Sequence, residues 1–154
     1  MNLSGDSVGP AAGSLHAAPR QVVVVHDDLD LPFGTVRGKV GGGTAGHNGL
    51  RSISARLGSG DYVRIRIGIG RPPEDFPGDT AAWVLMAFDE PADDVAAMLD
   101  RALVMTEAVL ADGIDSAIAR FHAAEPGSRA RERQRHRAEP TPDATDGGAQ
   151  GDAE

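Results

Sequence analysis

Three short stretches carry the residue types from which a reactive site is built. His26-Asp27-Asp28-Leu29-Asp30 follows a run of valines. An acid placed there, Asp27, either orients a histidine base or satisfies loop amides. As a divalent-metal site the three acids lack a fourth ligand at calcium-loop spacing. Gly41-Gly42-Gly43-Thr44-Ala45-Gly46 is a glycine-rich loop whose backbone can approach a ligand closely, and it runs into His47-Asn48-Gly49 at a helix start. Asn48 there is a plain N-cap or a site amide; His47 is an exposed polar residue or part of the same site. Lys39 and Arg66 project outward from two strands. Were those strands neighbours, both cations would reach one phosphate; otherwise they are charges blunting a sheet edge.

Charge distribution bears on that choice. The net charge of −8 by itself argues against a polyanionic partner. Residues 31–71, however, contain seven basic side chains and Asp61 as their single acid. That segregation fits a phosphate-binding surface on an acidic body, or a solvated cationic face. Gly41-x-Gly43-x-x-Gly46 also matches the dinucleotide-binding pattern by letter. Its context excludes that use: Arg37-Gly38-Lys39-Val40 is no buried apolar strand, and Asp61 precedes the next strand instead of ending it. No Gly-Lys-Ser/Thr follows, so a nucleotide P-loop fails as well.

The elements that must position these residues come from a chain of 154 residues, enough for one core. Hydrophobic residues are 40% and aromatics 4%, so the core is aliphatic. The absence of cysteine removes disulfide frameworks, thiolate catalysis and Cys-based zinc sites. No apolar run approaches the roughly 20 residues that span a bilayer. The first residues lack a secretory signal, and a cytoplasmic location is expected.

Weak periodicity over residues 4–20 predicts at most a short helix. Residues 21–25 predict a strand apolar on both faces, as inside a parallel sheet, with 26–30 as the loop at its carboxyl end. Residues 35–40 alternate as a half-exposed strand. A helix over 47–57 turns Leu50, Ile53 and Leu57 inward and stops at Gly58. Residues 62–69 are the clearest strand, with Val63, Ile65, Ile67 and Ile69 inward and Arg64 and Arg66 outward. Residues 82–88 predict a strand or helical turn beside the site. The longest helix starts at Pro91, carries the stripe Val95, Met98, Leu99, Leu103, Val109 and Leu110, and stops at Gly113. Residues 115–122 predict a further helix. From residue 123 onward there is no Leu, Ile, Val or aromatic, and five arginines fall between Arg129 and Arg137. This predicts a domain over 1–122 and a disordered tail over 123–154.

Taken together, these residues resemble bacterial peptidyl-tRNA hydrolase. The resemblance rests on Met1-Asn2-Leu3-Ser4-Gly5, on His26-Asp27-Asp28-Leu29-Asp30-Leu31-Pro32-Phe33-Gly34, on Gly41-Gly42-Gly43-Thr44-Ala45-Gly46-His47-Asn48-Gly49-Leu50, and on Arg64-Ile65-Arg66-Ile67-Gly68-Ile69-Gly70-Arg71-Pro72. It covers residues 1–122. It implies an α/β single domain, a mixed sheet flanked by helices, and hydrolysis of the ester between a peptide and the 3′-ribose of tRNA. No metal or organic cofactor is implied, and the expected partner is peptidyl-tRNA, met by a monomer without membrane attachment. By motif, Asp27 is the aspartate that polarises a histidine base, and Asn48 positions the water and the substrate's main chain. Asn2 binds the peptide or ester region, His47 lines the cleft, and Lys39 with Arg66 grips the tRNA 5′-phosphate.

The resemblance departs at the start of the chain. The family's Gly-x-Gly-Asn-Pro-Gly and Thr-Arg-His-Asn motifs, the second carrying the catalytic histidine, have no counterpart here. The expectation is a start assigned too late, with the fold missing its N-terminal strand and helix. Residues 22–25 would then lack a partner strand and expose an apolar edge. His26 is expected to point away from the site and His47 to lie on the wrong element, so neither replaces the base. The chain is expected to be inert or a weak tRNA binder; the alternative is a non-catalytic RNA-binding module of the same fold.

Overall fold

A computed structural model describes residues 3–123. Asn2, and the predicted tail beyond residue 123, lie outside the described residues. Three strands, β1 (Val23–Asp28), β2 (Val36–Val40) and β3 (Val63–Gly68), form a mixed sheet in the order β1-β3-β2. β1 runs parallel to β3 and β2 antiparallel to it. The helices are α1 (Ser4–Ser14), α2 (Asn48–Leu57), α3 (Thr80–Leu85), α4 (Ala92–Asp112) and α5 (Ile114–Ala123). The expected mixed sheet flanked by helices is the architecture found.

Alternation along β3 divides the interior in two. Val63, Ile65 and Ile67 pack with Met105, Val109 and Ala117 of α4 and α5. Tyr62, just before β3, packs with Leu50 and Ile53 of α2 and with Val22 and Val24 on the opposite face. Both faces of the central strand are therefore covered. That overturns the outward placement of Arg64, which is only 3% exposed.

The sheet approaches α4 closely because Gly38 of β2 has no side chain. A Cβ there would lie 2.5 Å from Met105 Cε and 3.0 Å from Ile118 Cγ1. The same closeness corrects the α4 stripe. Met98, Ala102, Met105, Ala108 and Val109 are buried, whereas Leu99, Leu103 and Leu110 are exposed. The small alanines face the sheet, and the leucines face away.

α1 contains Gly5, Gly9, Gly13 and Pro10, all poor for a helix interior. Packing on α2 holds it: Gly5 N–H donates to Ser52 Oγ at 3.0 Å, and Arg56 Nε donates to Asp6 Oδ1 at 2.9 Å. β1 is longer than the valine run. Its ladder with β3 continues from Val23↔Val63 to Asp28↔Gly68, so His26, Asp27 and Asp28 lie on the strand and not in a loop. β1 has β3 as partner, contrary to the expectation of none. It is nevertheless an edge strand among the described residues, not an interior one, and Val25 is 46% exposed. Residues 82–88 resolve into the second half of α3 and the segment after it. No helix among the described residues is long and apolar enough to cross a membrane.

Candidate active site

A cleft of about 1070 Å³ opens where β1 ends, with the glycine loop, the start of α2 and one side of α3 as its other walls. Asp27, Asn48, Lys39 and Arg66 all line it, so four predicted site residues are brought together. His47 lines it too, as expected. Asn2 lies outside the described residues.

His47 Nε2 lies 3.1 Å from Asp27 Oδ1, with both side chains largely enclosed. Its other nitrogen is also engaged: Nδ1 accepts the Leu50 backbone N–H at 3.3 Å, so His47 is the N-cap of α2. The N-cap role considered for Asn48 thus belongs to its neighbour, and Asn48 is the first helical residue. An acceptor at Nδ1 puts the imidazole proton on Nε2, where it is donated to Asp27. That hydrogen bond holds the Asp27 carboxyl below the usual carboxylate range, outweighing the opposite effect of burial.

His26 corrects another expectation. Its ring lines the same cleft and meets His47 edge to face, with centroids 5.3 Å apart. His26 Nδ1 donates to the Asp27 carbonyl at 2.6 Å, which leaves Nε2 as a bare acceptor, buried and without a partner. Burial lowers the His26 pKa, and the bond to Asp27 only partly opposes it. His26 and its strand neighbour Asp27 both line the cleft, although successive strand residues point to opposite faces.

The two cations share a face, as β2 and β3 are indeed neighbours. Lys39 stands opposite Arg64, and Arg66 lies two residues further along β3, on the diagonal from Lys39. Their charges are not equally available. Arg66 Nε donates to Asp28 Oδ2 at 2.7 Å, while Lys39 is exposed and bonds to none of the described residues. Burial works to raise the Asp28 carboxyl, but hydrogen bonds from Arg66 and from the Asp30 backbone hold it below its ordinary value.

Sequence reasoning missed a buried side chain that also lines the cleft, Arg64. Arg64 donates from Nη1 to Gly43 O at 2.6 Å and from Nη2 to Gly42 O at 2.7 Å and Gly60 O at 3.3 Å. Its partners are backbone carbonyls, which leave no mark in side-chain patterning. Among the described residues no group of three His, Asp or Glu gathers as a metal ion requires.

The profile of the family described as peptidyl-tRNA hydrolase matches residues 1–130. A peptidyl-tRNA hydrolase from Sorangium cellulosum is 45% identical over 151 residues, covering 96% of this chain and 67% of the relative. One from Mycobacterium tuberculosis is 48% identical over 125 residues, covering 80% of this chain and 64% of the relative. The crystal structure of a peptidyl-tRNA hydrolase with N-propanol superposes with a TM-score of 0.68 at 33% identity, covering 82% of this chain and 63% of that one. That from Acinetobacter baumannii gives 0.58 at 31%, covering 77% and 62%. The chain thus spans about two thirds of the length of these relatives.

Proposed function

The chain belongs to the peptidyl-tRNA hydrolase family, and from that premise we propose that its cleft takes the ester joining a peptide to the 3′-ribose of tRNA and supports its hydrolysis. The observation carrying this reading is the Asp27–His47 hydrogen bond, formed in a cleft that Lys39 and Arg66 also line.

Water attacks the ester carbonyl, its proton passes to a base, and the 3′-oxygen leaves as a hydroxyl, releasing a peptide acid and tRNA. Asp27 is ionised at neutral pH and is the fixed negative charge beside which an imidazolium is stable. Asn48 sits at the N-terminus of α2, where the partial positive charge of the helix suits a developing oxyanion and the side-chain amide can orient water. Lys39 holds the tRNA 5′-phosphate, with the Arg66 donors that Asp28 leaves available.

Neither lining imidazole takes the proton from water. Both nitrogens of His47 are engaged, and the bare nitrogen of His26 is buried. The resemblance assigns the base to the Thr-Arg-His-Asn motif, which has no counterpart in these 154 residues. Free imidazole should therefore stand in for it. With an N-acetylaminoacyl-tRNA as substrate, release of tRNA should rise with added imidazole, well above the rate imidazole gives alone. Release no faster than that background overturns the proposal.

A further inference from the structure

Arg64 is the only charged residue that is buried among those described, and no carboxylate there neutralises it. An enclosed charge is costly unless hydrogen bonds replace its hydration. Arg64 obtains these from three carbonyls, Gly42, Gly43 and Gly60, and its guanidinium lies 4.6 Å from the Tyr62 ring centroid. Nε remains buried without a partner. The arrangement is too costly to be a mere filler of space.

What it grips is the stretch that most needs a tie. Gly41 and Gly42 have φ of 66° and 103°, and a run so rich in glycine loses much entropy on being fixed. Gly41 N–H donates to Tyr62 O at 3.0 Å, and His47 N–H to Thr44 O at 2.8 Å. Between these bonds the Arg64 fork takes both central carbonyls. The loop leads from Lys39 on β2 to His47 at the head of α2, so its shape sets where His47 meets Asp27.

We propose that Arg64 is a positioning residue, clamping the glycine loop so that His47 reaches Asp27 in the cleft; this rests on reading that cleft as the ester-hydrolysing site. Arg64 lines the cleft, but its Nη donors are taken by the loop carbonyls. Its contribution is geometric, and a lysine keeps the charge while losing the planar fork that spans two carbonyls.

The test is Arg64→Lys in the full chain, with kinetics on N-acetylaminoacyl-tRNA in the presence of imidazole and NMR titration of the Asp27 carboxyl. Misplacing groups of a reactive site by about 1 Å costs on the order of 10²-fold in rate. The expected result is a fall in kcat of that order with KM within about twofold. The Asp27 titration should move upward, because the bond from His47 that lowers it is weakened. An unchanged kcat and unchanged Asp27 titration in a folded variant overturn the proposal, as does a raised KM at constant kcat. Should the parent show no turnover at all, the function proposed above fails, yet the Asp27 titration still decides the role of Arg64. Should Arg64→Lys fail to fold, the unsubstituted chain decides it: scalar couplings across the hydrogen bonds from Arg64 Nη to the Gly42 and Gly43 carbonyls support the clamp, and their absence overturns it.

Discussion

Arg66 on β3 donates to Asp28, the residue next to the proposed catalytic aspartate, at 2.7 Å across the parallel ladder. The bond ties the end of β1 to the central strand and places a guanidinium beside the cleft. It also gives Arg66 a structural role beside the proposed grip on phosphate, a double duty that Lys39 does not share.

Lys39→Ala and Arg66→Ala should therefore differ. Each should weaken tRNA binding and reduce the salt slope by about 0.7–0.9 if it removes one phosphate contact. Lys39→Ala should leave the unfolding midpoint unchanged, since the side chain is exposed. Arg66→Ala leaves the Asp28 carboxylate, whose side chain is 12% exposed, with the Asp30 N–H but without its ionic partner. A loss of about 1–3 kcal/mol is expected from that group alone. Equal stability of the two variants in urea would contradict the assignment.

Stability should fall with acid in two windows. His26 has a folded pKa below its ordinary 6.5, so the unfolded chain binds its proton first. Its contribution is complete above 6.5 and fades as pH drops through the lower folded value. His47, Asp27 and Asp28 are the titratable groups that face it. Asp27 and Asp28 are depressed below 3.8, so their contribution is present above 3.8 and lost at still lower pH. Urea midpoints measured between about pH 7 and 5 should decline, and His26→Gln should flatten that decline. An equally steep decline in the variant would remove His26 as its source.

Gly5 and Gly13 offer a contrast within one helix. A Cβ at Gly5 would lie 2.2 Å from the Ser52 carbonyl oxygen, which belongs to the backbone of α2 and cannot swing aside. At Gly13 a Cβ meets nothing within 4 Å. Gly5→Ala should cost about 1–3 kcal/mol as the helices are forced apart. Gly13→Ala should be neutral or stabilising by up to about 1 kcal/mol. Thermal unfolding of both variants checks the pair.

Much of this arrangement is legible in the sequence, and the illegible parts share a cause. The period of two over Val63, Ile65 and Ile67 announced β3, and the order of the motifs announced that Asp27, His47, Asn48 and Lys39 share a hollow. What side-chain patterns cannot encode is partnership with backbone. Arg64 read as an outward cation because its partners are carbonyls of glycines. α1 is weakly marked because Gly5 and Gly9 serve close contact with α2, not helix propensity. On α4 hydrophobicity favours the leucines for the stripe, whereas close approach over Gly38 favours the smaller alanines. Alternation next to Asp27 predicts His26 to point away, whereas the cleft at the end of β1 takes in both residues.

The claim on which the rest depends is that the Asp27 carboxylate supports hydrolysis of an ester held in this cleft. Single-turnover cleavage of N-acetylaminoacyl-tRNA, with imidazole supplied and the chain in excess, measures it in the unsubstituted protein and in Asp27→Asn. A fall of about 10²–10⁴-fold is predicted, with tRNA affinity within about twofold of the parent. Cleavage by Asp27→Asn at the parental rate, with affinity retained, would contradict the account.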